Sequence, residues 1–381
     1  MRVCLKVKRT FYLNSERTDM AKAKKRSLIN GLIYSLNILA ALGLLASYLA
    51  FYVPPNTISI FAFFALAYPI LLGLNILFTI YWALRLKIKF ILSALVIIIG
   101  LGHFKKLYKF KDSSSLISNT DKLKLMSYNV RMFNSYQWIP EEGISEKIKS
   151  EVISESPDIL MIQEYYKGGI TPDFGFKYSF VKPTNISGNY GLSIFSNYPI
   201  VNTGALELRD LGANQASYNN QFIFADIDWN GRTIRTINIH LASIGLETSD
   251  YQRLQNPNEG SQEEIKDGFL KIVKQLDRAF KKRAEQIIAL KRAINSSPYP
   301  VIVCGDFNDT PQSYTYHQVD LLLEDSFVQE GEGFGKTYAR GPIPFRIDYI
   351  FHSDEFKTHS FKVGEKKLSD HFPVIAEIGI Q

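Results

Sequence analysis

Two long stretches without a charged residue dominate the first third of the chain. They run from Ser27 to Val53 and from Thr57 to Leu84, and each exceeds the roughly 20 residues that a helix needs to cross a bilayer. A third stretch, Phe90–Phe104, is shorter but equally apolar. We therefore predict a bundle of about three transmembrane helices, with spans at about 27–53, 57–84 and 88–104. A re-entrant or interfacial segment is the alternative for the third.

The charges around these stretches indicate an orientation. Residues 1–111 carry 16 Lys and Arg against 2 Asp and Glu, a net charge of +14, whereas the remainder carries 28 basic and 35 acidic residues, a net charge of −7. Cytoplasmic loops are enriched in Lys and Arg. The basic segment Ala21–Arg26 and the basic link Arg85–Lys89 therefore predict a multi-pass protein of the cytoplasmic membrane, with its C-terminal domain on the outer face. The lysines between Lys105 and Lys111 favour the opposite orientation.

Composition divides the chain into four parts. We predict a basic N-terminal segment at 1–26, a transmembrane region at 27–110, a Ser-rich polar linker at 111–122 and a domain at 123–381. The first apolar stretch is too long for a cleavable signal peptide, so we expect none. Cys4 and Cys304 do not resemble a disulfide framework, and Cys304 lies in an apolar strand, where a thiol is typically a small core residue.

From residue 123 onwards, strand and helix patterns alternate. Helical spacing of apolar residues predicts helices at Glu142–Glu155 and Phe269–Asn295. Many strands with few helices predict an α/β fold of packed sheets flanked by helices. Eight segments have strand character: Leu123–Val130, Ile159–Glu164, Tyr190–Asn197, Gln221–Trp229, Thr233–Leu241, Val301–Asp306, Arg346–Ser353 and Phe372–Ile380.

Six of these strands carry an Asn, Glu, His or Asp at an apolar boundary. One such residue is ordinarily a cap or a turn former, but six indicate a shared site. Together they supply carboxylates for a hard divalent cation, two imidazoles and amides for an oxyanion, which are the groups that metal-assisted phosphoester hydrolysis requires. The residues are Asn129, Glu164, His240, Asp306 with Asn308, Asp348, and Asp370 with His371.

The motifs around these residues resemble the endonuclease/exonuclease/phosphatase superfamily, which includes pancreatic deoxyribonuclease, apurinic endonucleases and neutral sphingomyelinases. The resemblance covers about Leu123 to Ile380 and rests on SYNV, IQE, YGLSIFSNYPI, INIHL, GDFND, RIDYIF and SDHFPV, in the family's order. GDFN followed by SDHFP is its most specific part. The resemblance implies a four-layered α/β sandwich and a hydrolase of phosphoester bonds that uses Mg²⁺ or Mn²⁺.

The resemblance also implies roles for residues that hold the metal and the substrate. Glu164 matches the principal metal ligand, and Asn129 would support that metal or contact the phosphate. Asp370 would bind a metal or buttress the site. Some apurinic endonucleases have an acidic residue two positions after the first-strand Asn, where this chain has Arg131. A guanidinium there would bind a phosphate or pair with Glu164.

The catalytic roles follow in the same way. Asp306 would orient or deprotonate the attacking water, and Asn308 would donate to a non-bridging oxygen. His371 would contact the phosphoryl group while Asp348 fixes its tautomer. His240 matches a histidine near the leaving group, a candidate general acid.

Structural interpretations compete for some of these residues. Asn129 could be a strand-end cap and His240 a structural histidine, while Asp309 is interpreted as a turn or capping residue. We expect no role at the site for the other four histidines, which are His103, His317, His352 and His359.

Three functions remain open at this point. The first is a membrane-anchored phosphodiesterase of the nuclease type, and the second applies the same chemistry to a phospholipid or phosphoinositide head group, which tethering would favour. The third is a non-catalytic membrane protein that uses the fold for binding. The acidic C-terminal part disfavours tight, non-specific binding of nucleic acid. The loops Arg209–Gln221 and Ala242–Gly268 would border the cleft, and no protein partner is indicated.

Overall fold

The computed structural model describes residues 28–111, 121–168, 171–183, 190–206, 222–245 and 261–381. The chain forms two compact units. One contains residues 28–46 and Ala67–Leu101, and the other contains Ser47–Leu66 and Gly102–Gln381. The predicted loop Arg209–Gln221 lies outside the described residues, and so do residues 246–260 of the predicted loop Ala242–Gly268.

One helix is long and apolar enough to cross a membrane by itself in the described chain. This helix, α1, spans Leu28–Leu49 with a mean hydropathy of 1.9. The other two stretches are each broken into a bent pair: α2 (Ile60–Leu66) with α3 (Tyr68–Leu84), bent by 67°, and α4 (Phe90–Ile99) with α5 (Leu101–Leu107), bent by 66°. Each pair has the length and composition of a span only when its two helices are counted together.

The predicted bundle of three transmembrane helices is therefore not confirmed, because only the first stretch is a continuous helix. Local sequence accounts for the breaks. Pro69 occupies the first turn of α3, where its ring would clash with the carbonyl four residues earlier if α2 continued into it. Gly100 ends α4, and glycine is a weak helix former.

The described residues form twelve strands in two mixed sheets of six strands each. In the first sheet the strand order is β11-β12-β1-β2-β4-β3, and in the second it is β5-β6-β7-β8-β10-β9. The strands are β1 (Lys122–Asn129), β2 (Ile159–Tyr166), β3 (Tyr178–Pro183), β4 (Tyr190–Ser196), β5 (Ile200–Leu206), β6 (Phe222–Trp229), β7 (Arg232–His240), β8 (Val301–Asp306), β9 (Glu324–Asp325), β10 (Asp348–His352), β11 (Phe356–Val363) and β12 (Val374–Ile380).

The sheets stack face to face with helices outside them. Residues such as Leu125, Ile194 and Ile302 form the core between the two sheets. Helix α6 (Ile144–Glu155) covers the outer face of the first sheet, while α7 (Gln262–Asn295) and α8 (Tyr314–Asp320) cover the second. A left-handed turn (Arg131–Asn134) and the short helix α9 (Ser326–Glu330) complete the described elements. The predicted α/β fold of two packed sheets flanked by helices is confirmed.

Each sheet has one parallel pair at its centre. These pairs are β1 with β2 and β7 with β8, and every other pairing is antiparallel. Parallel neighbours end at the same edge of a sheet, so polar residues that follow the four central strands can gather there. Gly305 makes the approach of β7 and β8 possible: its φ is +144°, and a Cβ would lie 2.0 Å from the Ile239 carbonyl oxygen.

All eight predicted strands are present, with ends within two residues of the prediction over the described chain. The four strands that the sequence did not indicate are β3, β5, β9 and β11, which are the four sheet edges. Strands β3, β5 and β11 have polar residues among their apolar ones, and β9 has only two residues, so none of the four contains a long apolar run. Helix α7 begins at Gln262 instead of Phe269 because Ser261 and Glu264 form a capping box.

Candidate active site

Strand pairing brings the predicted residues to one edge of the sandwich. His240 pairs with Asp306 across the parallel strands β7 and β8, and Asp348 pairs with Asp306 from the antiparallel β10. In the other sheet, Asn129 at the end of β1 lies beside Gln163 of β2. The site is therefore assembled by the register of the central strands.

Asp306 lies at the centre of the site and is 1% exposed. Its Oδ1 accepts a hydrogen bond from the Asn308 backbone N–H at 2.8 Å. Its Oδ2 accepts from Asn129 Nδ2 at 3.0 Å and from Asn308 Nδ2 at 3.2 Å. The Nε2 atoms of His240 and His371 each lie 3.6 Å from the same Oδ2. One carboxylate oxygen thus faces two amides and two imidazoles.

His371 is held by Asp348 in the arrangement that the sequence predicted. Its Nδ1 lies 2.9 Å and 3.1 Å from the two carboxylate oxygens of Asp348, so Nε2 is directed towards Asp306. The ring of Tyr338 packs edge-on against the imidazole, with 5.4 Å between ring centroids. These contacts fix the orientation of the ring.

Glu164 reaches the site through a backbone irregularity in β2. The pairing of β2 with β4 shifts register between Ile162 and Tyr165, and Glu164 has a φ of +53°, a conformation that costs free energy for a residue with a Cβ. The Glu164 carboxylate then lies 3.4 Å from Asn129 Nδ2 and 3.9 Å from His240 Nε2. Bulges of this kind commonly re-aim a side chain beside an active site.

Arg131 pairs with Asp370, not with Glu164 as one interpretation of the sequence had it. Its Nη1 lies 3.0 Å from Asp370 Oδ2, and Arg340 Nε lies 3.8 Å from the same oxygen. The guanidinium also lies over the Trp138 ring at 4.1 Å. The four residues Arg131–Asn134 all have positive φ, so the chain leaves β1 through a left-handed turn that directs Arg131 to Asp370.

Burial and neighbouring charges shift the pKa of three groups in the site. Burial raises the pKa of Glu164 and of Asp306, and His240 and His371 partly offset this effect. Burial by itself would lower the pKa of His371, but the carboxylates of Asp348 and Asp306 outweigh it and hold that pKa well above its ordinary value. The carboxylates around His371 therefore favour positive charge at this position, either on the imidazole or on a bound cation.

Two residues to which the sequence assigned no role, Gln163 and Ser369, form hydrogen bonds that hold the strands of this site together. Gln163 Nε2 donates to Asn238 Oδ1 at 2.7 Å and to Ser127 Oγ at 3.0 Å, which ties the two sheets together beneath the catalytic edge. Ser369 Oγ donates to the Asn129 carbonyl at 2.8 Å and so joins the SDH motif to β1. Gln163 and Ser369 lie inside the IQE and SDHFPV motifs, but the motifs alone did not indicate these contacts.

The residues for which the sequence indicated no catalytic role have partners outside the cluster around Asp306. The carboxylate of Asp309 forms a buried ion pair with Arg283 at 3.1 Å. His352 bonds to Ser353 and Thr358, while the rings of His103 and His317 both pack on Phe51. His359 lies in the edge strand β11.

The donor set fits a hard divalent cation. Among the described residues, Asp306, Asp348 and His371 offer ligand atoms within 4.8 Å of one another. Glu164 adds a further carboxylate on the other side of Asn129. Asp370, by contrast, directs an oxygen to two arginines, so its predicted contact with a metal would compete with these ion pairs. Mg²⁺ prefers oxygen ligands and retains several waters, so few carboxylates suffice.

Comparisons with known proteins agree with this architecture. Residues 126–371 match the family described as Endonuclease/Exonuclease/phosphatase family, and residues 30–107 match one described as Domain of unknown function (DUF8431). No curated protein matches the chain.

Among solved structures, an endonuclease/exonuclease/phosphatase family protein from Bacteroides thetaiotaomicron is 17% identical, with a TM-score of 0.52 over 69% of this chain and 100% of that one. The endonuclease/exonuclease/phosphatase from Beutenbergia cavernae is 16% identical, with a TM-score of 0.48 over 68% of this chain and 72% of that one. A humanized D. rerio TDP2 is 14% identical, with a TM-score of 0.49 over 70% of this chain and 100% of that one. The likeness to the Bacteroides protein is one of fold.

Proposed function

The chain belongs to the endonuclease/exonuclease/phosphatase family, and from this premise we propose that it is a membrane-anchored, divalent-metal-dependent phosphodiesterase. The observation that carries the proposal is the convergence of two histidines and one aspartate: His240 Nε2 and His371 Nε2 both lie 3.6 Å from Asp306 Oδ2. Turn formation does not require such a cluster, whereas hydrolysis of a phosphoester uses each of its groups.

The residues have distinct tasks in this reaction. Asp306, buried and held by Asn129 and Asn308, orients the attacking water and accepts its proton. The imidazolium of His371, fixed by Asp348, donates to a non-bridging oxygen as negative charge grows on the phosphoryl group. Asn308 supplies a second donor for that oxygen, and His240 protonates the leaving oxygen.

A divalent cation would be held by Glu164, with Asn129 beside it and Asp370 as a further candidate ligand. When bound, such an ion neutralises charge on the phosphate and polarises the phosphorus centre. Arg131 and Trp138 form the adjoining rim of the site, where a guanidinium suits a phosphate of the substrate.

Two candidate substrate classes each have supporting observations. The nuclease-type interpretation rests on the family and on Arg131 at the rim. A phospholipid or phosphoinositide head group is the second candidate, because the catalytic unit carries a net negative charge after residue 111 and includes the apolar helix α2. A site that is tethered near a bilayer meets lipid at a high effective concentration.

The proposed placement is a multi-pass anchor in the cytoplasmic membrane with the catalytic unit on the outer face. The apolar helix α1 and the two bent apolar pairs support the anchor, and the basic residues at 21–26 and 85–89 support the orientation. A reporter fused to the C-terminus tests it: activity of a reporter that works only in the cytoplasm would contradict the outward orientation.

The reaction is tested on the full chain in detergent or nanodiscs. We expect hydrolysis of bis(p-nitrophenyl) phosphate that EDTA abolishes and that Mg²⁺ or Mn²⁺ restores. Plasmid DNA, RNA, sphingomyelin and phosphoinositides, offered in parallel, distinguish the two substrate classes. Full turnover in EDTA, or in an Asp306→Ala variant, would show that the site is misassigned.

A further inference from the structure

The first half of α7 presents apolar side chains that the described chain does not cover. From Ala279 onwards the helix packs on the second sheet, whereas before Ala279 the only buried residue is Gly268. Phe269 is 66% exposed, Leu270 42% and Ile265 38%. Ile265 and Phe269 are four residues apart, so they lie on one face. Neighbouring large apolar groups of this kind mark a site of interaction.

The same half of α7 is basic within an acidic domain. Residues 265–282 carry six Lys and Arg against two Asp. The cations lie beside and opposite the apolar face, as at Lys266, Lys274 and Arg278, while Glu263 and Glu264 occupy the first turn, where they complement the helix dipole. A helix with one aromatic face and lysines and arginines around it is typical of segments that lie in the interface of an anionic bilayer.

Helix α2, an apolar helix of the same unit, packs against the middle of α7. Phe63 of α2 contacts Phe280 edge-on, with 5.2 Å between ring centroids, and Asn56 Nδ2 donates to Glu285 Oε1 at 3.2 Å. Helix α2 is itself apolar along its whole length, so the middle of α7 packs against an apolar segment of its own unit.

A cavity of about 540 Å³ opens between these two helices. It is lined by Ser59, Phe63, Val273, Lys274, Asp277 and Arg278. The carboxylate of Asp277 is paired with Lys281 at 2.7 Å. Lys274 and Arg278, beside Phe63 and Val273, therefore suit a phosphate that continues into an acyl chain. Basic pockets next to membrane helices bind lipid head groups by this combination of contacts.

We propose that the first half of α7 is a second membrane contact of the catalytic unit. Phe269 and Leu270 enter the boundary between head groups and acyl chains of an anionic bilayer, and Lys274 and Arg278 bind lipid phosphates in the cavity beside α2. The inference rests on the proposed membrane anchoring but not on the proposed catalysis.

This contact would lie close to the catalytic edge. Gln275 Nε2 of α7 donates to the Gly245 carbonyl at 3.2 Å, and Gly245 follows the site residue His240 by five positions. Five residues span at most about 18 Å. The chain that leaves the catalytic edge after His240 therefore contacts α7, and a bilayer at α7 would favour substrates at the membrane surface.

The test places an environment-sensitive fluorophore on α7 of the full chain. Phe269→Cys is made in a Cys4→Ser background and labelled with a nitrobenzoxadiazole dye; Cys304 is buried and its pKa is raised by burial, so it does not react in the folded protein. The labelled protein is reconstituted in vesicles of phosphatidylcholine, with and without phosphatidylglycerol. We expect blue-shifted emission and quenching by nitroxide-bearing lipids in the anionic vesicles.

Two matched controls show whether the signal arises from lipid contact at α7. Ile153→Cys labels a residue that is 53% exposed on α6, at the opposite outer face, and should be quenched by aqueous iodide and not by lipid nitroxides. Adding Lys274→Glu and Arg278→Glu to Phe269→Cys should reduce quenching by lipid only when phosphatidylglycerol is present.

Three outcomes would overturn the inference. A label at position 269 that behaves like the label at 153 would show that α7 faces water. A label that is shielded from both iodide and lipid nitroxides would show that protein covers this face. Quenching that is unchanged by the charge reversals would remove the assigned lipid phosphate site. Hydrolysis of bis(p-nitrophenyl) phosphate in the same samples reports on catalysis separately, so its failure would leave the membrane contact standing.

Discussion

One aspartate ends β8 and a second lies in the loop that follows, and we predict that changing each to asparagine separates activity from stability. Asp306 faces His240 and His371 at 3.6 Å, whereas Asp309 faces the buried guanidinium of Arg283 at 3.1 Å. The two carboxylates are three residues apart and both are buried. They therefore form a matched pair in which only the partner differs.

The two variants should differ in what they lose: Asp306→Asn mainly catalytic rate, and Asp309→Asn mainly stability. Asp306→Asn removes a proton acceptor, and such groups contribute about 10²- to 10⁴-fold to rate, which is roughly 3 to 5 kcal/mol of activation free energy. In Asp306→Asn, an amide N–H faces donors of Asn129 or Asn308 that the carboxylate accepted, which costs about 1–3 kcal/mol of stability. Burial raises the pKa of Asp306, so the folded state disfavours its charge and part of that cost is offset. Asp309→Asn leaves the Arg283 charge buried without its partner, which costs about 3–5 kcal/mol of stability.

The assay measures kcat on bis(p-nitrophenyl) phosphate and urea unfolding on the same preparations. We expect Asp306→Asn to lose activity with only a small decrease in its unfolding midpoint, and Asp309→Asn to lose more stability while its folded fraction retains kcat. A kcat for Asp306→Asn within about tenfold of wild type would refute the assignment of the base. Loss of kcat in a fully folded Asp309→Asn variant would show that the site extends to Arg283.

Three further predictions address the architecture around the site. Gly305→Ala should prevent stable pairing of β7 with β8, because its Cβ would lie 2.0 Å from the Ile239 carbonyl oxygen; soluble, active protein from this variant would contradict that geometry. Burial lowers the pKa of His352 below its ordinary value of 6.5, so the unfolded chain binds more protons as the pH falls below 6.5 and stability is lost over that range. His352→Gln should therefore lose less unfolding free energy than wild type between pH 7 and pH 5 in urea titrations. If the Arg131 guanidinium binds substrate phosphate, Arg131→Ala should raise KM more than it lowers kcat. A fall in kcat as large as the rise in KM would contradict this role and would indicate that Arg131 acts by holding Asp370.

The sequence indicated the polar residues that the structure brings together because their positions at strand ends are a local feature. Apolar runs define strands by side-chain periodicity, and the polar residue at the end of each run is visible without a structure. This is why Asn129, His240, Asp306 and His371 could be named in advance, and the ordered motifs GDFN and SDHFP identified the family. The eight central and near-central strands were found for the same reason, since buried strands need apolar residues.

Other features depended on contacts between distant parts of the chain. The edge strands β3, β5, β9 and β11 are specified mainly by pairing with a neighbour and carry little periodic signal of their own. The pairing of Arg131 with Asp370 joins residues 239 positions apart, and no spacing rule predicts it. The length and hydropathy of the second and third apolar stretches likewise did not predict that each is bent.

What the sequence determined by itself is the inventory: which polar groups stand at strand ends, in what order, and which segments are apolar enough for a membrane. Only the tertiary structure decided the directions in which these side chains point. Glu164 turns into the site through a positive φ in a bulge, and Asp306 meets two imidazoles because two parallel strand pairs end at one edge. Side-chain identity is written residue by residue, but direction depends on register and backbone strain, and these are set when the sheets pack together.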